Sequence, residues 1–422
     1  MIKKFIGLSL ILLSIQSFAQ KNNTSPYSFF GIGEESALKT VEEISMGQIG
    51  TAFNSTYQIS FTNPASLSHL RFTTYTLAVE NKALRIDDGT NTGNASVASL
   101  SYFAIGIPIG DKAGFSFGLQ PNTTVGYSLT EEFKNTQGDL TAINTFNGEG
   151  GTNRVFLGFG YKLPKNISIG LEAAYVFGNI ENTLLNRRDG VQRATMHKTN
   201  STIKGFTAKA GIQYSTKVTD KLTLKAGILA NLKNNLSNEG KEVLFSLINT
   251  NTESINPRDT LINNSFNSTI KKPLNTSLSL GIGELNKWYA AVEYSFNDPI
   301  EFTDGVLNNN TKVSYEKANR VSVGGFYIPK INSISSYWQR ITYRAGLNYK
   351  QTGLMVDNTT VNDFGISFGV GLPIGKQLSN LNLGFELGKR GEINNSLIKE
   401  NYFNFRLGLT LNDKWFNKRK IQ

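Results

Sequence analysis

From residue 70 onward the chain alternates apolar and polar residues in about fourteen stretches, each long enough to cross a bilayer. In Ile341 to Lys350, Ile341, Tyr343, Ala345, Leu347 and Tyr349 fall on one side and Thr342, Arg344, Gly346, Asn348 and Lys350 on the other. Leu222 to Lys233 and Phe403 to Asn412 repeat the pattern. Strand side chains alternate between two faces, so each segment has one greasy and one wet face. Soluble sandwich strands average about 5 to 6 residues, whereas a transmembrane strand needs about 9 to 11. The pattern therefore predicts an all-β transmembrane antiparallel barrel.

Strands are expected near 71–82, 95–108, 112–132, 142–163, 166–187, 195–218, 221–240, 267–284, 287–300, 311–328, 338–354, 359–374, 380–390 and 402–412. An even count suits a single-chain bacterial barrel, with short turns toward the periplasm and longer loops outside. Gly110-Asp111-Lys112, Pro164-Lys165-Asn166, Thr219-Asp220-Lys221 and Leu285-Asn286-Lys287 are the short turns, and the Asn-rich stretch Lys241 to Asn267 is the longest expected outer loop. One inner link, Pro329 to Trp338, exceeds a tight turn. Tyr161, Trp288, Tyr289 and Trp338 lie at strand ends, where an interfacial girdle would sit.

Residues 1–19 read as a signal peptide. Lys3 and Lys4 precede the apolar run Phe5 to Ile15, and Ser17-Phe18-Ala19 offers small residues at the cleavage positions. With no cysteine, the chain has no lipid-acceptor thiol, disulfide or thiolate metal site. A mean hydropathy of −0.24 suits a barrel with a polar lumen and polar loops. The net charge of +11 falls to +9 without Lys3 and Lys4, and its basic residues are scattered singly, a pattern that excludes a nucleic-acid surface.

Residues 20–70 lack the strand period and are too apolar for a free tail. They are expected to form an N-terminal plug, because fourteen strands would otherwise enclose an open lumen. The barrel then spans 71–412, followed by a basic tail at 413–422. On the polar face of the strands, Arg154, Lys209, Lys225, Arg320, Arg344 and Arg406 should point inward, with Glu172, Glu293 and Glu386 as partners. Two readings stay open: a basic interior that attracts a carboxylate head group, or pairing among these charges and the plug.

Only His69 and His197 are available for acid–base or metal chemistry, and they lie far apart in the sequence. That argues against a zinc site and a Ser-His-Asp hydrolase. Gly31-Ile32-Gly33 does not join a strand to a helix, so it is no nucleotide loop. No enzyme activity, cofactor or metal is expected.

The segment Ile44-Ser45-Met46-Gly47-Gln48-Ile49-Gly50-Thr51-Ala52, followed by Ser60-Phe61-Thr62-Asn63-Pro64-Ala65-Ser66-Leu67, resembles the plug region of FadL-type long-chain fatty acid transporters. The strand count and the position of the plug agree, and Ala19-Gln20 with Ser25-Pro26-Tyr27-Ser28 resembles the Bacteroidetes branch of that family. The resemblance implies passive uptake of hydrophobic small molecules, with lateral exit into the bilayer where the third strand is interrupted. Pro121, which cannot donate to a ladder, is the candidate for that opening, or else marks a simple bulge. Asn63, Pro64 and Ala65 would shape the plug at the gap, or simply start a turn. The expected partners are outer-membrane lipids and a hydrophobic small molecule. The alternative is a non-transporting barrel held as a fixed subunit of an outer-membrane protein secretion or assembly complex, with other outer-membrane proteins as partners. A sugar or ion porin is a third reading, and the plug opposes it.

Overall fold

A computed structural model describes residues 25–248, 257–303, 312–375, 378–393 and 397–415. The expected signal peptide and most of the basic tail lie outside the described residues. Fourteen antiparallel strands close on themselves: β1 (Thr73–Asp87), β2 (Thr92–Ile109), β3 (Ala113–Lys134), β4 (Leu140–Lys162), β5 (Ile167–Arg188), β6 (Arg193–Lys217), β7 (Leu222–Asn231 with Asn234–Ile248), β8 (Pro257–Lys272 with Asn275–Glu284), β9 (Trp288–Asn297 with Glu301–Phe302), β10 (Val313–Tyr315 with Ala318–Tyr327), β11 (Thr342–Val356), β12 (Thr359–Ile374), β13 (Ser379–Arg390) and β14 (Lys399–Asp413). Closure runs from the pair Lys399 and Asp87 to the pair Asp413 and Thr73. Two of the broken strands break at Pro273 and near Pro299, where a ladder donor is missing.

The outward face carries the apolar belt of an outer-membrane barrel. Val155, Leu157, Phe159 and Tyr161 on β4, and Ile169, Leu171, Tyr175 and Phe177 on β5, are all exposed. This greasy run covers seven residues on β4 and nine on β5, close to the roughly 9 to 11 that a tilted strand needs to cross hydrocarbon. Above it the outward side chains turn polar, as at Asn153 and Asn179.

The strands nevertheless continue. Lys241 to Asn267, expected as a loop, is mostly a hairpin: β7 runs to Ile248, β8 starts at Pro257, and the pairing extends down to Lys272 with Asn234. Val243, Phe245 and Leu247 alternate there and pack with Ala194 and Met196, a short apolar run set among the Asn, Ser and Thr that dominate the rest of the stretch. Outer links are correspondingly short, down to Asp357-Asn358 between β11 and β12. Tyr289 also departs from expectation, since it points inward at 4 % exposure and packs on Phe53. Trp338 is exposed, in a short 3-10 turn of the long inner link.

Residues 25–72 lie inside the barrel. They form a 3-10 turn at Pro26–Phe29, a two-residue strand at Glu34–Glu35, a one-turn helix α1 (Val41–Ile44) and a 3-10 helix at Pro64–His69. Thr40 and Glu43 close a capping box around α1, which is how so short a helix satisfies its first amides. The segment brings its own core. Phe61 stacks edge-on against Tyr102 and Phe156 with ring centroids 4.8 and 5.5 Å away, and Met46, Ile49 and Phe53 pack on Tyr289 and Ala291.

Inward-facing glycines let this segment approach the wall backbone to backbone. A Cβ at Gly170 would strike Pro64 and Ala65, and one at Gly211 would strike the Asn63 side chain. Gly47, at φ +71°, sits against Val323 and Leu347 of the wall, a place where a side chain would be both strained and crowded.

Candidate functional site: a charged interior and an open seam

The interior charges gather into clusters that join the wall to the N-terminal segment. On one side Glu172 (β5) takes both Arg154 (β4) and Lys209 (β6), whose Nζ is 3.1 Å from Glu172 Oε2. Lys209 also donates to the Phe61 carbonyl. Opposite them, Glu293 (β9) accepts the amides of Gly50 and Thr51 at 2.8 Å each and pairs with Arg320 at 3.2 Å and Lys39 at 3.5 Å. Glu386 (β13) accepts from Arg406 at 2.8 Å and Gln48 at 3.3 Å, while Arg406 Nε reaches Glu80 at 3.0 Å.

Lys225 bonds to Asn54 Oδ1 at 2.7 Å and lies over the rings of Phe53 and Tyr289. Arg344 donates to Asn382 Oδ1 at 3.2 Å, and Asn382 in turn donates to Glu42. All nine candidates of the sequence reading thus face the lumen and bond there.

A further cluster escaped that reading. Arg390 meets Glu34 at 2.8 Å, Asp363 at 3.0 Å and Glu400 at 3.7 Å, and Lys82 also pairs with Glu34. Parity along the strands could have placed Lys82, Asp363, Arg390 and Glu400 on the wet face. Glu34, Lys39, Glu42 and Glu43 sit in the aperiodic segment, where parity gives no signal. Desolvation at the half-buried Glu34 would raise its carboxyl, yet Arg390 and Lys82 hold it well below the usual carboxylate range. Burial pulls the Lys39 ammonium below the ordinary lysine value, with Glu293 opposing.

The cavity left between segment and wall measures about 430 Å³, and Glu34, Lys39, Arg154, Arg320, Glu386 and Arg406 are among its lining residues. Leu38, Phe61, Val97 and Leu229 line it too, so apolar surface alternates with charge.

Pro121 lies in a register shift of the β3–β4 ladder, between Pro121 and Thr123. On its other side the β2–β3 ladder covers only Phe103 to Ile109 against Leu119 to Ala113. Above Phe103 and Leu119 the two strands part. The edge of β3 is taken instead by the N-terminal segment: Glu34 and Glu35 pair with Thr124 and Thr123, Ser36 N donates to the Asn122 carbonyl at 3.0 Å, and Gly126 N donates to Ser28 Oγ at 3.1 Å. Val97 and Ser99 of β2 and Asn122 and Thr124 of β3 also line the cavity, so the cavity reaches this seam.

Asn63 caps the Pro64–His69 turn by accepting Ala65 N at 3.0 Å, and Pro64 stands in its first turn. Its Nδ2 faces three carbonyls, those of Thr51 at 2.8 Å and of Ile212 and Ile228 at 3.3 Å. One amide thus ties two strands to two parts of the segment. His69 Nε2 contacts Ser168 Oγ at 3.1 Å, but Ser168 is 1 % exposed. Burial, with Lys162, Lys225 and Arg71 nearby, lowers the imidazole to about 4, far from the range of a general base at neutral pH. His197 lies on β6 beside Glu242 at 2.7 Å. Among the described residues no cluster of metal-ligating side chains forms.

Solved structures share this architecture. The chain superimposes on the toluene transporter TodX of Pseudomonas putida with a TM-score of 0.58 at 16 % identity, covering 92 % of this chain and 100 % of that one. A FadL homologue of Pseudomonas aeruginosa gives 0.57 at 12 % identity, covering 92 % and 99 %. The toluene transporter TbuX of Ralstonia pickettii gives 0.56 at 12 % identity, covering 90 % and 99 %. At these identities the likeness establishes the fold alone, which the chain shares with these structures. No curated protein matches the sequence. The BamG family profile matches residues 1–422, and the chain belongs to the BamG family.

Proposed function

We propose that this protein is a sealed outer-membrane barrel that serves as a fixed subunit of an outer-membrane protein secretion or assembly complex. In this reading residues 1–19 direct export, residues 20–70 are a permanent plug, and the wall and outer strands are contact surfaces. The observation that carries it is the ion-paired lumen: the plug is bound to the wall through Lys209, Glu293, Glu386 and Arg390, and charged side chains such as Lys39, Arg154, Arg320 and Arg406 stand among the residues that line the cavity beside it. A hydrophobic molecule crossing it would have to strip water from ionised groups, at a cost of several kcal/mol per buried ion.

A second reading, passive uptake of hydrophobic small molecules such as long-chain fatty acids, is favoured by the parted β2–β3 ladder at Pro121. There the gap would be the lateral exit, and Asn63, Pro64 and Ala65 would shape its floor.

Purification of the mature protein in mild detergent from its native membrane, without over-expression, separates the two. Mass spectrometry of both proteins and lipophiles should find a stoichiometric protein partner and no bound hydrophobe. A lone barrel carrying a fatty acid would overturn the subunit reading in favour of uptake.

A further inference from the structure

The upper half of β2 has one unpaired edge. Thr92 to Ser101 forms its ladder with β1 on one side and, among the described residues, with nothing on the other. Its outward side chains pass from apolar Phe103 and Leu100 to Ala98, Ser96 and Asn94, so the edge begins at the top of the membrane belt and rises out of it.

Exposed edges of natural sheets are guarded by lysines, prolines or inward charges. Upper β3 follows that rule, since it carries Glu131, Glu132 and Lys134 and its edge at Thr123 and Thr124 is taken by the N-terminal segment. The outer stretch of β8, with no ladder on its β9 side above Ile270 among the described residues, opens with Pro257-Arg258-Asp259. Thr92 to Ser101 reads Thr-Gly-Asn-Ala-Ser-Val-Ala-Ser-Leu-Ser, with no charge and no proline; its one irregularity is the bulge at Ser101. The side chains are small, and a Cβ added at Gly93 would meet nothing within 4 Å.

The facing edge of β3 already accepts chain by main-chain pairing, from Glu34 and Glu35. Among the described residues β2 keeps unmet donors and acceptors on this side, at an edge that borders the cavity.

We propose that residues 93–101 of β2 are a strand-addition site for an extended segment of a partner protein. This deepens the subunit reading and rests on it. The segment runs antiparallel to β2, main chain to main chain, as in other β-augmented complexes. Alternate side chains of the segment face the cavity beside Val97 and Ser99, so that face is polar. The opposite face lies at the level of lipid head groups and above.

A photo-reactive benzoylphenylalanine is placed at Ser96 or Ala98 of the full-length protein in its native membrane, with Leu387, three strands away on β13, as control. In an antiparallel pair, Ser96 must cross-link two residues further along the partner than Ala98 does, and Leu387 must not reach that segment. Hydrogen exchange of the isolated complex against the dissociated barrel should show the seam-facing amides of 93–101 slowed about tenfold or more, a factor equal to about 1.4 kcal/mol of protection. Cross-links only to lipid or to this chain, or equal exchange in both states, from an intact stoichiometric complex overturn strand addition and leave the subunit reading standing. Absence of any complex overturns both.

Discussion

Replacing Glu293 by alanine should loosen the N-terminal segment while leaving the barrel closed. Its carboxylate, 1 % exposed as a residue, holds the amides of Gly50 and Thr51, the Arg320 guanidinium and the Lys39 ammonium. Removing one partner of a buried ion pair costs about 3–5 kcal/mol because the remaining charge stays buried. At about 1.4 kcal/mol per decade, local protection at Gly50 and Thr51 should fall by roughly two to three orders of magnitude. Glu293→Gln keeps a carbonyl oxygen for the two amides and loses only the charge, so its effect should be smaller. Hydrogen exchange resolved to these two amides is the assay, with exchange along β9 and β10 reporting that the barrel is intact. Exchange at Gly50 and Thr51 within a factor of about three of wild type in Glu293→Ala would refute the reasoning, since that factor is worth well under 1 kcal/mol.

Gly211→Val drives a side chain into Asn63 and should destabilise by about 1–3 kcal/mol, seen as new protease cleavage in residues 25–72, whereas Gly93→Val, into open space, should not. Asn63→Asp keeps the cap on Ala65 but turns a donor facing three carbonyls into an acceptor. It should therefore be more damaging in thermal unfolding than Asn63→Ala, which loses the cap at about 1 kcal/mol and the bridge but adds no repulsion. Glu34, depressed by Arg390 and Lys82, contributes stability that is present above the unfolded carboxylate value of about 4.3 and is lost as pH falls. The protection factor at Ser36, taken against the intrinsic rate at each pH, should thus fall on acidification to about pH 3, and Arg390→Ala should produce that fall at pH 7.

Period-two patterning made the barrel legible because a lipid-facing strand must show it, and a slip of one residue would turn every side chain to the wrong face. The same parity put Arg154, Glu172 and Arg406 in the lumen. It failed where its cause was absent. In Lys241 to Asn267 the apolar alternation is confined to Val243, Phe245 and Leu247, and the Asn, Thr and Ser around it made the whole stretch read as loop. Glu34, Lys39 and Glu42 act from a segment whose shape is set by caps and close contacts with wall glycines, and neither leaves a period. The Thr40-Val41-Glu42-Glu43 capping box was the one local signal there. Pro121 was visible as a break in β3 and, through the family resemblance, as the candidate opening, but the unpaired upper edge of β2 was not, since a missing ladder belongs to a pair of strands and β2 alone reads as an ordinary strand.

The central claim is that the lumen is sealed by a fixed plug, and conductance across a planar bilayer tests it most directly. The full-length mature protein should show no stable open-channel steps, and deletion of residues 25–70 should produce them. Stable channel steps from the intact protein would contradict the account.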